Sequence, residues 1–187
     1  MGKKRTAKKK MTRDLRGGGR KWVIPGAVVA ILAVALSLWL FTREKAAGNE
    51  IVIETPRGSI EIVVYPEIMP VTVANFKKLV GDRFYNGLIF HRVEPWVVQG
   101  GDPAGNGTGG PGWTIKLETS PDLKNVRGAV AMARRLEPDT AGSQFYILKK
   151  DMPSLDGQYA VFGKVTKGME VVDAISPGDK MSVVRFK

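Results

Sequence analysis

Ile89-Phe90-His91-Arg92-Val93-Glu94-Pro95-Trp96-Val97-Val98-Gln99-Gly100-Gly101-Asp102 gathers the chemistry of this chain into one hairpin-sized segment. Apolar residues of strand type place His91, the only histidine, beside Arg92. Gln99 arrives after six intervening residues, and Gly100, Gly101 and Asp102 follow at once, so the backbone turns sharply when the polar groups have been presented. A cation, an amide and large apolar groups therefore share one short stretch.

Outward from this stretch, the sequence reads mostly as strands. Residues 50–55 and 59–65 alternate apolar and polar side chains around Pro56-Arg57-Gly58, which predicts a hairpin. Residues 69–80 open with Pro70 and set Val73, Phe76, Leu79 and Val80 on one face, predicting a helix that caps a sheet and stops at Gly81. Strand signals recur at 88–93, 96–99, 114–116, 129–133, 144–148, 160–165 and 182–186, with turns of Gly, Pro and Asp between them. Residues 169–175 read as a second short helix after Gly168. The spacing predicts a closed β-barrel or a sandwich, and no internal repeat interrupts it.

With 187 residues and 43% apolar content, the chain can bury one ordinary core and is short for two. It has no cysteine, which excludes a disulfide framework, thiol catalysis, zinc sites of the cysteine type and a lipidated Cys. The formal charge of +11 is unevenly spread. Residues 1–41 hold ten Lys/Arg against one Asp, whereas residues 42–187 hold nineteen against seventeen Asp/Glu, so the globular part is close to balanced.

Residues 1–21 are basic, with three consecutive glycines and little to bury, and read as a disordered arm. Trp22 to Phe41 follows without a charge; as a helix these twenty residues span about 30 Å, the thickness of a bilayer's hydrocarbon core. Trp22 and Trp39 stand near its two ends, where interfacial rings sit. The stretch has no polar face, against a buried core helix, and cleavage as a secretory signal after Ala33-Val34-Ala35 would leave Leu-Ser-Leu-Trp-Leu-Phe exposed. An uncleaved membrane anchor is therefore expected at 22–41, with the arm cytoplasmic by the positive-inside rule and the domain beyond it extracytoplasmic. Anionic headgroups and the insertion machinery account for the arm's charge, so no nucleic-acid partner is expected. A short polar linker at 42–49 leads into a folded domain over 50–187.

Across that domain the words TPRGSIEIVVY, VTVANFKKLV, FYNGLIFHRV, QGGDPAGNGTGG, GAVAMAR, GSQFYI, LDGQYAVFGKV and GMEVVDAI occur in order. Their sequence and spacing resemble the cyclophilins, the peptidyl-prolyl cis-trans isomerases, over nearly all of residues 50–187. The resemblance implies a mainly β fold, a closed eight-stranded antiparallel β-barrel capped by two α-helices. It also implies proline-containing polypeptide substrates, a monomeric catalytic domain and no cofactor or metal.

An Xaa-Pro bond rotates slowly because amide resonance imposes a barrier of ~18–20 kcal/mol. Bringing exchange to milliseconds takes ~10⁴-fold, or ~5.5 kcal/mol of preferential transition-state binding. An apolar slot for the proline ring and a strong donor aimed at the twisted amide suffice. When the nitrogen lone pair leaves conjugation it accepts a hydrogen bond better, and Arg92 is the candidate donor. By resemblance, Trp96, Val97, Phe145-Tyr146 and Leu155 stand where the family builds its proline pocket, and strand alternation favours Tyr146 facing inward with Gln144. Gln99 and Gln144 would hold the substrate's carbonyl side, and the backbone near Ala133 and Arg134 would pair with the residue before proline.

Competing readings of single motifs are weaker. His91 lacks a GxSxG nucleophile elbow, which argues against a Ser-His-Asp hydrolase and for a structural histidine. Gly105 to Gly110 satisfies GxGxxG, but Pro111-Gly112 follows in place of a helix, so a dinucleotide site is not expected. The chain departs from the family where one residue is missing between Arg92 and Gln99, where Arg134 replaces an asparagine usual in eukaryotic members, and where Ser154 and Tyr159 replace the Trp and His of drug-sensitive members. The last two imply weak cyclosporin binding. The missing residue motivates a second functional reading, a non-catalytic module that holds proline-containing segments.

Overall fold

A computed structural model of the protein describes residues 34–37 and 48–187. The expected arm at 1–21, the rest of the apolar stretch 22–41 and most of the linker lie outside the described residues. Residues 34–37 are helical, and among the described residues no helix is long and apolar enough to cross a membrane.

The first hairpin pairs β1 (Glu50–Thr55) with β2 (Gly58–Val64) around Pro56-Arg57. Helix α1 (Pro70–Gly81) follows, then β3 (Arg92–Glu94), β4 (Val97–Gly100), β5 (Ala129–Met132), β6 (Phe145–Leu148), β7 (Val161–Lys167), helix α2 (Met169–Ala174) and β8 (Val183–Phe186). All pairings are antiparallel, in the order β3-β4-β6-β5-β7-β2-β1-β8.

The sheet curls, but the expected closed barrel is corrected in one respect: β3 and β8 form its two edges and share no strand ladder. The gap is bridged one step earlier. Phe90 N–H donates to Asp179 O and Met181 N–H to Leu88 O, at 2.9 and 2.8 Å. Thus the expected strand at 88–93 becomes a bridge at Ile89 and a ladder starting only at Arg92. Its partner segment carries Pro177-Gly178, which cannot sustain a regular ladder. The strand expected at 114–116 is likewise a single bridge, Ile115 to Ala141, because the next donor, Leu117 N–H, turns to the Asp139 carboxylate at 2.9 Å.

Strand alternation sends Ile60, Ile62 and Val64 of β2, Val98 of β4, Val130 and Met132 of β5, and Phe145 and Ile147 of β6 into one core. Helix α1 covers that core with Val73, Phe76, Leu79 and Val80. The Phe76 ring meets Tyr85, Phe145 and Phe162 at centroid distances of 5.1, 5.4 and 4.8 Å. Burying one such ring stabilises by about 1.5–3 kcal/mol. Met69 gives the helix no side-chain cap. Instead Glu118, from the loop at 113–127, accepts the Val71 and Thr72 N–H groups at 3.0 and 2.6 Å.

The opposite face of β4, β5 and β6 is also covered. Val97, Ala129, Ala131, Tyr146 and Leu148 form a second, smaller apolar cluster with Val161, Trp96, Leu155 and Tyr159. That second face carries the site.

Candidate functional site

Arg92, Val93 and Glu94 pair with Gln99, Val98 and Val97, so Pro95-Trp96 is a two-residue turn and the six residues between Arg92 and Gln99 are the number an unbulged hairpin needs. Neither turn residue has a positive φ, as proline's ring requires, so the turn is not of the primed type usual in such hairpins. The shortened spacing thus sets Arg92 directly opposite Gln99, and Arg92 Nη1 donates to Gln99 Oε1 at 3.2 Å.

Register carries this row across the sheet. Gln99 opposes Tyr146, and Tyr146 opposes Ala131. Cross-strand partners share a face, so Arg92, Gln99 and Tyr146 stand together above the strands while Val98, Phe145 and Ile147 enter the core beneath. Of the two adjacent aromatics, the alternation therefore assigns Tyr146 to the site and Phe145 to the core.

Above the row lies a cavity of about 160 Å³ lined by Arg92, Trp96, Val97, Gln99, Ala133, Arg134, Tyr146, Leu155 and Tyr159. A dry cavity of about 150 Å³ takes a benzene-sized ring, so this one accepts a five-membered ring. A larger hollow of about 430 Å³ adjoins it, shares Gln99, Ala133 and Arg134, and is walled by Gln144 and residues 107–114. Eight of the nine expected site residues line the smaller cavity, and Gln144 lines the larger.

The polar side of the site is a directed chain. Gln99 Nε2 donates to Gln144 Oε1 at 2.9 Å, and Gln144 Nε2 donates to the carbonyls of Gly107 and Gly109 at 3.0 and 2.9 Å. The glycine loop is held from below by buried Asp102, whose carboxylate accepts the N–H groups of Ala104, Asn106 and Gly107 at 2.8, 2.9 and 2.6 Å. Those donors are turned inward and are not offered to a phosphate, which disposes of a dinucleotide reading. Gly109 must lack a Cβ, which would collide with Asp102, and Gly101 holds φ +83° against the Ser143 carbonyl. Burial raises the Asp102 pKa, but the three backbone donors and His91 outweigh it and bring it below the ordinary value. His91 has neither ring nitrogen bonded among the described residues, and burial together with Arg92 lowers its pKa despite Asp102. Among the described residues it has no hydrogen-bonded partner that would make it a catalytic base.

Arg92 is held on three sides. Its Nε–H donates to Glu94 Oε1 at 2.7 Å, Nη1 to Gln99, and the guanidinium carbon stands 5.1 Å from the Trp96 ring centroid. Two of its five N–H groups are thus used, and the other three have no partner among the described residues. Arg134 is pinned differently, with Nε–H donating to Gln158 O at 2.8 Å and Nη1 to the carbonyls of Arg135 and Leu136, over the Tyr159 ring at 4.8 Å. It ties the two loops that rim the cavity. Of the backbone near Ala133 and Arg134, expected to pair with a ligand, the Ala133 N–H is taken by Gln144 O at 2.9 Å. Only the next backbone groups, the Ala133 carbonyl and the Arg134 N–H, are unbonded among the described residues.

Sequence reasoning missed the support beneath Tyr146. Its hydroxyl donates to Asn125 Oδ1 at 2.8 Å, and Asn125 donates through N–H and Nδ2 to Asp156 Oδ1 at 2.7 and 3.1 Å. Burial, then Tyr159 and Asp156, push the Tyr146 hydroxyl far above the usual tyrosine range, so it remains a donor. Asn125 and Asp156 stand in turn-rich segments where such residues are ordinary, and the sequence carried no signal of their pairing. Glu94 was overlooked because a glutamate beside an arginine on an exposed strand is commonplace.

Residues 50–186 match the sequence profile of the family described as cyclophilin type peptidyl-prolyl cis-trans isomerase/CLD. The chain belongs to that family. It is 52% identical over 132 residues to peptidyl-prolyl cis-trans isomerase B of Bacillus subtilis, an alignment covering 70% of this chain and 92% of that protein. A peptidyl-prolyl cis-trans isomerase of Helicobacter pylori is 45% identical over 138 residues, covering 72% and 84%. Among solved structures, a cyclophilin type isomerase of Cryptosporidium parvum, determined in the presence of the dipeptide Ala-Pro, superposes with a TM-score of 0.70 at 30% identity, covering 74% of this chain and 98% of that one. This cyclophilin-type domain is an enzyme, a peptidyl-prolyl cis-trans isomerase, and its curled eight-stranded antiparallel sheet with its helices is a cyclophilin-like fold.

Proposed function

We propose that the 160 Å³ cavity seats the proline ring of an Xaa-Pro segment and that Arg92 catalyses rotation about the preceding bond. Trp96, Val97, Tyr146 and Leu155 supply apolar walls. Gln99 and Gln144 hold the substrate's carbonyl side, and the Ala133 carbonyl and Arg134 N–H pair with the residue before proline. As the amide twists, its nitrogen pyramidalises and accepts a hydrogen bond from a free Arg92 N–H. That bond is stronger in the transition state than in either planar isomer, which is the condition for catalysis. No proton is transferred and no covalent bond forms or breaks.

The observation that carries this reading is the ladder pair Arg92 and Gln99, which leaves three guanidinium N–H groups without a partner among the described residues at the edge of a ring-sized cavity. Its test is Arg92→Ala. Loss of one fixed donor lowers kcat/KM by about 10²-fold or more, with the far-ultraviolet circular dichroism unchanged. Full turnover in that variant would remove Arg92 from the role.

The apolar stretch Trp22 to Phe41 and the basic arm before it support a membrane anchor with the arm inside and a monomeric isomerase domain outside, acting on extracytoplasmic chains as they fold. Protease added to intact cells should degrade the domain and spare an epitope fused at the N-terminus. Full protection of the domain would refute this orientation.

A further inference from the structure

Glu94 stands two residues beyond Arg92 on β3, so the two side chains rise from the same face of the strand. Its Oε1 accepts the Arg92 Nε–H at 2.7 Å. A guanidinium is planar and rigid, and a bond on its Nε edge fixes the plane in a way that a bond to one Nη cannot. Here Glu94 takes the Nε edge, Gln99 takes one Nη1 hydrogen at the longer 3.2 Å, and the guanidinium carbon stands over the Trp96 ring. The groups without a partner among the described residues are Nη2 and the second Nη1 hydrogen.

We propose that Glu94 is a positioning residue for the isomerase reaction: its carboxylate fixes the Arg92 guanidinium in the orientation that meets the twisted amide, and it acts only through Arg92. The inference rests on the role given to Arg92 above. Gln99 alone, accepting a single Nη1 hydrogen at 3.2 Å, would leave the guanidinium free to turn about its last torsions. Trp96, as the second residue of the turn, lies close enough to act on both partners. The Arg92 guanidinium, with a smaller part from the Trp96 indole, holds the Glu94 carboxyl below the usual carboxylate range, so Glu94 is a carboxylate at neutral pH.

The geometry also excludes a purely electrostatic benefit. A carboxylate beside the catalytic cation draws off part of its positive charge and by itself would weaken the donor, so what Glu94 contributes is orientation. Nor is the pair a stability element of note: the two side chains are 42% and 39% exposed, and ion pairs so exposed contribute little to folding. Misplacing a catalytic group by about 1 Å, by contrast, can cost about 10²-fold in rate.

The test is a double-mutant cycle on the full chain purified in mild detergent, with Glu94→Ala and Glu94→Gln made in the wild-type and Arg92→Ala backgrounds. Exchange of an Xaa-Pro peptide, followed by NMR, gives kcat and KM. In the wild-type background Glu94→Ala should lower kcat about tenfold with KM within about twofold, and Glu94→Gln, which keeps an uncharged acceptor, should recover part of the loss. In the Arg92→Ala background neither change should alter the residual rate. Unchanged kcat in Glu94→Ala, a higher kcat in Glu94→Gln, or the same fold-loss in both backgrounds would overturn the proposal. Full activity of Arg92→Ala would instead overturn the Arg92 reading and this one with it, whereas an inactive Arg92→Ala beside an unaffected Glu94→Ala would overturn this one alone.

Discussion

Asp102 shows how one residue can govern a site it does not line. It is buried, accepts three backbone N–H groups, and so shapes the loop whose Gly107 and Gly109 carbonyls hold Gln144. Its folded pKa is lowered, so the unfolded chain binds the proton more readily. The stabilisation is therefore fully present above the ordinary aspartate value of 3.8 and is lost as pH falls through the lower folded value. Asp102→Asn, which removes a charged acceptor and leaves an amide against donors, should cost about 1–3 kcal/mol at neutral pH. Urea midpoints of the two proteins should converge below pH 3.8; a gap that stays constant into acid would show that the carboxylate charge is not what holds the loop. At this scale the sequence is legible where chemistry is local. The spacing of Arg92 and Gln99 and the alternation that faces Tyr146 inward are both read from neighbours in the chain. Asn125, which accepts from Tyr146 21 residues away, and Asp156, which holds Asn125, leave no local trace.

At the scale of elements, the first turn of α1 depends on a residue that no helix pattern contains. Met69 offers no cap, and Glu118 reaches the Val71 and Thr72 N–H groups from a loop 46 or more residues further on. Glu118→Ala should behave as the loss of a cap and cost about 0.5–2 kcal/mol, visible as a lower urea midpoint with an unchanged slope. An unchanged midpoint would mean that water replaces the carboxylate without loss. The helices and most strands were legible because their apolar period is strong. The segments at 88–93 and 114–116 were not, because they have strand composition but spend their backbone groups on bridges and on Asp139. The hairpin turn is a further case: one residue fewer than the family's spacing reads as a defect in sequence, yet in the ladder it is what sets Arg92 opposite Gln99.

Over the whole molecule, the curled sheet has two covered faces with different tasks. One is the core under α1, and the other is the floor of the cavity, so the strands that stabilise the fold also fix the row of Arg92, Gln99 and Tyr146. Residues 50–186 match the family profile by themselves, and the alignment with the Bacillus subtilis relative covers 92% of that protein. The most direct test is cis-to-trans exchange of a short Xaa-Pro peptide, followed by NMR, with residues 42–187 at sub-stoichiometric concentration. Exchange accelerated well beyond the uncatalysed rate, and abolished by Arg92→Ala, is the result the geometry requires. Saturable peptide binding without acceleration would contradict it, and would mean that the shortened hairpin holds proline segments without turning them.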